Sequence, residues 1–373
     1  MKKKTASLKI TLLVALVAIA FVGGLAVVGS APSTASTTTS PAATATTTTI
    51  PSTSTASGGL IVAGPSRSEC LAPNINGSGL RALQSAITNF DEITGTSVSC
   101  ISTYLNGAPT WSAWEHPWVT NALYGYSAWV AEAPQSRELV LQVDLIPSSL
   151  KDANDPLSWE RPCAAGAFNS YATQLGKSLV AAGLQNSVIR LGAEMNGTWE
   201  ADFVGTTPVE QQLWVRCFDN EVIGLRRAAG GHFLIDWNPN ACKYDLPYSR
   251  LYPGNSYVDI MGLDLFDVSC IAPRTPYSFA QLAKEPAGLS SFEAFANAHK
   301  KPMSFPEWGL SMVPSGDDPK YIDGIGSAFA NNNFAFETYF DGMGGKVKAL
   351  PIGPRTPLSL PAFQQWFGSG AKP

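Results

Sequence analysis

The sequence predicts a (β/α)8 TIM barrel, an α/β fold. Segments of strand character alternate with segments of helical spacing, the mark of a parallel sheet with crossover helices. The globular part, residues 60–373, is roughly 310 residues long, an ordinary length for eight βα units with long loops. No glycine-rich phosphate loop follows the first strand, which argues against an open doubly wound sheet.

Two segments precede the globular part. Lys2, Lys3, Lys4 and Lys9 lead into an uncharged apolar run, residues 10–29, followed by small residues. Residues 1–30 therefore read as a secretory signal peptide or, since about 20 apolar residues span a bilayer, as a membrane anchor. Either way the protein is expected to be secreted or held at the extracellular cell surface, with residues 10–29 as the possible tether. Residues 31–59 are nearly all Ser, Thr, Ala and Pro and read as an extended linker.

Charged residues make up 14% of the chain and the formal net charge is −4, which excludes a basic nucleic-acid surface. Ten tryptophans and eleven tyrosines supply aromatic faces suited to the apolar faces of sugar rings. The six cysteines include no C-x-x-C pair, and with an export signal they read as disulfides. In a barrel Cys242 and Cys270 fall in neighbouring loops and are candidates to bridge, leaving Cys70 with Cys100 and Cys163 with Cys217. His116, His232 and His299 are scattered without metal-ligand spacing. No metal, no cofactor and a monomer are expected, and no Gly-x-Ser-x-Gly elbow is present.

Taken in order, residues 98–105 are β-rich and form the first expected strand. Residues 111–118 form a loop with three tryptophans, and residues 121–131 hold an ambiguous second strand. Residues 138–146 are a clear strand ended by Pro147; 148–166 form a long polar loop; 168–182 have helical spacing and stop at Gly183. The strand at 188–194 is followed by a helix over 208–229, with Pro in its first turn and Gly230-Gly231 after it. Strands at 232–238, 257–266, 302–307 and 334–340 and helices at 291–300 and 319–331 complete the pattern.

In this numbering Glu194 ends strand 4 and Glu307 ends strand 7. Carboxyl ends of barrel strands face the active site. Period-two alternation groups Arg190, Gly192 and Glu194 on one side, and likewise Met303, Phe305 and Glu307. Two lone glutamates beside Trp199 and Trp308 suggest paired carboxylate chemistry on a sugar, one acid protonated and the other ionised. Arg190 is expected near the base of the site, neutralising or positioning a carboxylate. Asn196 is expected to hold Glu194 or a sugar hydroxyl. Strand ends add Tyr104, Asp144, Trp237, Asn238, Asp264 and Tyr339 as mouth candidates, with Trp199 and Trp308 as the preferred stacking platforms.

The segment Arg190-Leu-Gly-Ala-Glu194-Met-Asn196-Gly197-Thr-Trp199 resembles the acid/base motif of glycoside hydrolase family 26, the β-mannanase family. Residues 258–267 are similar to that family's sixth strand, 301–309 to its nucleophile strand and 233–238 to its fifth. The likeness runs in order through residues 98–341. It implies a retaining clan A hydrolase with Glu194 as acid/base and Glu307 as nucleophile. Two positions depart from the pattern. Ala193 stands where the family usually has a His, and Phe266 where it has a Tyr that contacts the nucleophile.

The function expected is a retaining endo-acting glycoside hydrolase cleaving a β-linked polysaccharide, of the β-mannanase or β-glucanase kind. The two departures keep open a catalytically silent glycan-binding barrel. The linker and possible anchor keep open a cell-surface transglycosylase.

Overall fold

The computed structural model describes residues 69–369, apart from 76–78, 106, 118–122, 153–154, 242–247, 270–274 and 343–348. The expected leader, the linker, Trp118 and the Cys242–Cys270 pairing lie outside the described residues.

In chain order the elements are β1 (Glu69–Ala72), α1 (Leu80–Thr94), β2 (Val98–Tyr104), α2 (Trp111–Glu115), α3 (Leu123–Glu132), β3 (Glu138–Val143), α4 (Leu157–Ala164), α5 (Asn169–Ala181) and β4 (Val188–Leu191). There follow α6 (Pro208–Arg226), β5 (Leu234–Trp237), α7 (Tyr248–Leu251), β6 (Ile260–Gly262), β7 (Leu265–Phe266), α8 (Phe279–Leu282), α9 (Leu289–His299), β8 (Met303–Gly309), α10 (Pro319–Asn331), β9 (Phe334–Phe340) and α11 (Ser359–Phe367).

All the strand pairings are parallel, and β6 and β7 each pair with β8. These two short strands are halves of one stave, so the sheet closes as an eight-stave barrel with helices outside. Burial follows strand alternation. Cys70, Cys100, Val140, Val188, Ile260 and Phe336 form one apolar cluster. Their chain neighbours Leu71, Ile101, Leu139, Leu141, Ile189 and Ile235 pack with the helices, against Trp214, Phe218 and Phe292 among others. Cys70 and Cys100 are register partners on β1 and β2 and are bonded to each other. Cys163 on α4 is bonded to Cys217 on α6.

Local chemistry sets the helix ends. Thr207 caps α6 in a reciprocal box with Glu210, and Pro208 fills the first turn. Asp318 caps α10, again ahead of a proline.

The strand count expected from sequence is right for a compensating reason. Residues 121–131 do not hold a strand: Leu123–Glu132 is a helix. The first stave is instead β1, a four-residue strand too short to show periodicity in the sequence. The two errors cancel, so Glu194 still follows stave 4 and Glu307 still lies on stave 7. The polar stretch 148–166 contains α4, and the tryptophan stretch contains the short helix α2.

Candidate active site

At the carboxyl ends of the strands one arginine collects the chemistry. Arg190 on β4 is fully buried. Its Nη1 donates to Glu307 Oε1 at 2.8 Å and its Nη2 to Asp264 Oδ2 at 2.8 Å. Nε donates to Asn238 Oδ1 at 2.9 Å, and Nη2 also reaches that oxygen. Burial works against the guanidinium charge, but Asp264 and then Glu307 more than restore it, and its pKa is raised.

Glu194 does not reach the site by strand alternation. The strand ends at Leu191, and a turn with positive φ at Gly192 (55°) and at Glu194 itself (52°) presents the carboxylate. A non-glycine residue in that region is strained, and such strain concentrates at functional positions. The Glu194 amide is held by the Asn238 carbonyl at 2.7 Å. Its carboxylate accepts from Asn240 Nδ2 on one oxygen and from Trp199 Nε1 on the other. The indole folds back onto the loop because residue 197 is glycine: a Cβ there would lie 2.3 Å from Trp199. Burial first, then the negative charge of Glu307, raises the Glu194 pKa; the donors Asn240 and Trp199 and the charge of Arg190 oppose that rise.

Glu307 also departs from simple alternation. Met303 and Phe305 belong to the apolar layer under the helices, while Ser304 hydrogen-bonds Asp236 at 2.8 Å. The pairing of β8 with β9 shifts register between Phe305 and Trp308. That irregularity turns Glu307 towards Arg190, where unbroken alternation would leave it beside Phe305. Glu194, Asp264 and Glu307 each bring a carboxylate oxygen to within 4.8 Å of the others.

The other residues predicted from sequence separate into two groups. Tyr104 stands at the site: burial and then the charge of Glu307 raise its pKa well above 10.0, and no protein group meets hydrogen-bond geometry with its hydroxyl. Its ring meets Phe340, which in turn meets Phe266, forming an aromatic wall. Trp199 is 44% exposed and offers a face beside Glu194. Asp264 is buried against Arg190, with Oδ1 unpartnered.

The remaining residues are not placed to touch a ligand. Asn196 and Asn238 are buried with their side-chain oxygens engaged. Asn196 Nδ2 donates to the Asn240 carbonyl at 2.7 Å and its oxygen accepts from the Asn240 amide at 2.9 Å. It thereby positions the side chain that holds Glu194. Trp237 and Trp308 are corrections: both are completely buried on the outward side of their strands. Trp237 packs with Tyr248, Tyr252, Phe292 and Phe295. Trp308 packs with Tyr339, Phe363 and Phe367 and donates to Glu337 at 2.6 Å. Tyr339 is likewise a core residue, bonded to the Leu350 carbonyl. Position at a strand end, or beside a glutamate, does not determine which side of the strand a side chain takes. Asn240 was missed altogether, although it sits two residues beyond Asn238 in the same strand-end segment.

No family model matches the sequence and no curated protein matches it. Solved structures do match the fold. A family 26 β-mannanase from Bacteroides ovatus superposes with a TM-score of 0.56 at 14% identity, covering 76% of this chain and 85% of that one. The catalytic domain of a family 26 endo-β-1,4-mannanase from Bacillus sp. JAMB-750 gives 0.54 at 15%, covering 82% and 88%. A β-mannanase from a symbiotic protist of the termite Reticulitermes speratus, solved with a gluco-manno-oligosaccharide, gives 0.52 at 13%, covering 81% and 86%. At these identities the likeness concerns architecture: the chain has a glycoside hydrolase family 26-like (β/α)8 fold.

Proposed function

We propose that the protein is a retaining, endo-acting glycoside hydrolase that cleaves a β-linked polysaccharide by double displacement. The observation that carries this is the approach of the Glu194 and Glu307 carboxylate oxygens to within 4.8 Å. Retaining enzymes hold their two carboxyls about 5–5.5 Å apart, whereas inverting ones need about 6.5–9.5 Å for an intervening water. The structural neighbours named as β-mannanases support a β-linked, mannan-like chain as the substrate, and those named as endo-β-1,4-mannanases support internal cleavage.

In the first step Glu307 attacks the anomeric carbon while Glu194 gives its proton to the departing glycosidic oxygen. The bond from anomeric carbon to that oxygen breaks, and a glycosyl ester on Glu307 remains. In the second step Glu194, now ionised, takes a proton from water, which attacks the same carbon and releases Glu307. The surroundings of Glu194 suit both duties. Burial and the nearby Glu307 charge favour its protonated form at rest. Esterification removes that charge, and the Asn240 and Trp199 donors then stabilise the carboxylate. Phe266 brings no hydroxyl to the nucleophile; the Tyr104 hydroxyl, near enough to feel the Glu307 charge though not hydrogen-bonded to it, is the group placed to donate to Glu307 after a small side-chain adjustment. The exposed face of Trp199 stacks on a sugar ring next to the acid. Residues 1–30, as a signal peptide or a membrane anchor, would put the monomer outside the cell or at its surface, so the polysaccharide met there is extracellular.

The direct test is turnover of a panel of β-linked polysaccharides, mannan and glucan included, with the anomeric configuration of the first product followed by NMR. Retention is expected, with Glu307→Ala and Glu194→Ala each losing about 10²–10⁴-fold in kcat or more. Inversion, an active Glu307→Ala enzyme, or binding without turnover would replace the reading with another.

A further inference from the structure

A second group of carboxylates lies behind the Glu194 loop. Asp144 follows the end of β3, and Glu200 and Asp202 follow Trp199 in the loop after β4. Each offers a carboxylate oxygen within 4.8 Å of the other two. Asp144 is 3% exposed, Asp202 fully buried and Glu200 9% exposed. Acidic groups alone would mean little, and other buried carboxylates here also have an unpartnered oxygen; what sets this trio apart is that two such carboxylates converge with a third. Asp144 Oδ1 and Asp202 Oδ1 are both buried and, among the described residues, receive no hydrogen bond. Native proteins seldom leave buried carboxylate oxygens without a partner.

Three nearby donors are already engaged. Asp202 Oδ2 accepts from the Leu145 amide at 2.7 Å. The Asp144 carbonyl accepts from Trp114 Nε1 at 2.9 Å. Lys151 Nζ donates to the Glu200 carbonyl at 2.7 Å and lies 3.4 Å from that of Trp199. Lys151 is thus spent on backbone carbonyls and not on a carboxylate of the trio. The Glu194, Asp264 and Glu307 group differs, because Arg190 already stands among its members as the cation.

We propose that Asp144, Glu200 and Asp202 bind a calcium ion that fastens the Glu194–Trp199 loop to the end of β3. All-oxygen donors select a hard cation over zinc or copper. Calcium–oxygen distances of about 2.3–2.6 Å let one ion touch oxygens up to about 4.6–5.2 Å apart, which matches the span of the three carboxylates. A divalent cation would give the unpartnered oxygens of Asp144 and Asp202 the positive partner that Lys151 does not supply. These ligands come from two separate loops and carry none of the histidine or cysteine spacing that marks a metal site in a sequence.

The test uses terbium, a calcium surrogate whose luminescence is sensitised by nearby indoles; Trp114 and Trp199 adjoin the site. Full-length protein stripped with EDTA and desalted is expected to bind one equivalent, displaced by calcium. Calcium should also raise the Tm of the stripped protein by about 5 °C at a hundredfold excess over Kd. Asp202→Asn should weaken terbium binding at least about tenfold, the worth of one hydrogen-bond-scale ligand contact or more. Glu200→Gln, nearer the surface, should do the same and serves if the buried variant does not fold. Glu307→Gln should leave the terbium affinity unchanged, which separates this site from the proposed catalytic pair. Equal Tm in EDTA and calcium, or luminescence unaltered by both Asp202→Asn and Glu200→Gln, overturns the proposal and leaves a carboxyl trio held neutral by protons. None of these readouts depends on polysaccharide turnover.

Discussion

Arg190 and Glu307, 117 residues apart in the chain, meet at 2.8 Å inside the barrel mouth. The contact ties β4 to β8 and determines where both carboxylates stand, because the same guanidinium also holds Asp264 and the Asn238 that anchors the Glu194 amide. A buried ion cluster contributes little net stability, yet removing one member leaves the others uncompensated. Arg190→Met should therefore cost about 3–5 kcal/mol in urea denaturation. The triple variant Arg190→Met, Asp264→Asn, Glu307→Gln should recover a good part of that loss. A triple variant less stable than the single one would show that the cluster itself, and not its broken remnant, sets the cost.

Several other buried carboxyls give the stability a pH dependence. Burial, the first cause in each case, pushes Asp236, Asp267 and Glu337 up to about 7 and Glu160 up to about 8. In the unfolded chain such groups titrate near 4. Folding therefore takes up protons between about pH 4 and 8, and the stabilisation present at the acid end is lost as pH rises through the folded values. Tm should fall on going from about pH 5 to pH 8, measured by scanning calorimetry in the presence of EDTA. A Tm that climbs over this window contradicts the assignment.

Much of the barrel was legible from alternation and turn residues. β3 reads as a run of buried β-formers and is one. Helix α6 announces itself by Thr207, Pro208 and Glu210. β1 was not legible: four residues including Glu69 carry too little periodicity to stand out. The aromatic stretch in α3 has strand-like composition that its packing overrides. At the site, motif position found both glutamates, but side-chain direction failed wherever the strand was irregular. The turn after Leu191 and the register shift before Trp308 each reverse the parity that alternation assigns. Trp237 and Trp308 fail for another reason: a strand-end position or a neighbouring glutamate does not say which side of the strand an indole takes, and both face the helices.

The two described disulfides close loops of 30 and 54 residues. Loop-closure entropy assigns roughly 3–4 kcal/mol to each. Both bonds are buried, so reduction should require partial unfolding. Pairwise Cys→Ser replacement is expected to lower the urea midpoint in both cases, more for the Cys163–Cys217 pair. An unchanged midpoint for either pair would mean that the bond constrains the unfolded chain less than its loop length implies.

Trp199 links stability to chemistry at the acid. Its Nε1–H donates to Glu194 Oε2, and a hydrogen bond to a carboxylate favours the ionised form. Trp199→Phe keeps an aromatic face near the sugar but removes that donor, so the Glu194 pKa should rise further above its ordinary value. A general acid works only while protonated, and the alkaline limb of kcat/KM against pH should move to higher pH in the variant. Deglycosylation needs the carboxylate, so that step should slow at low pH and the glycosyl-enzyme should accumulate with activated substrates. An alkaline limb that stays put, or moves down, would mean that the indole bond does not tune the acid and that Trp199 acts as a stacking surface alone.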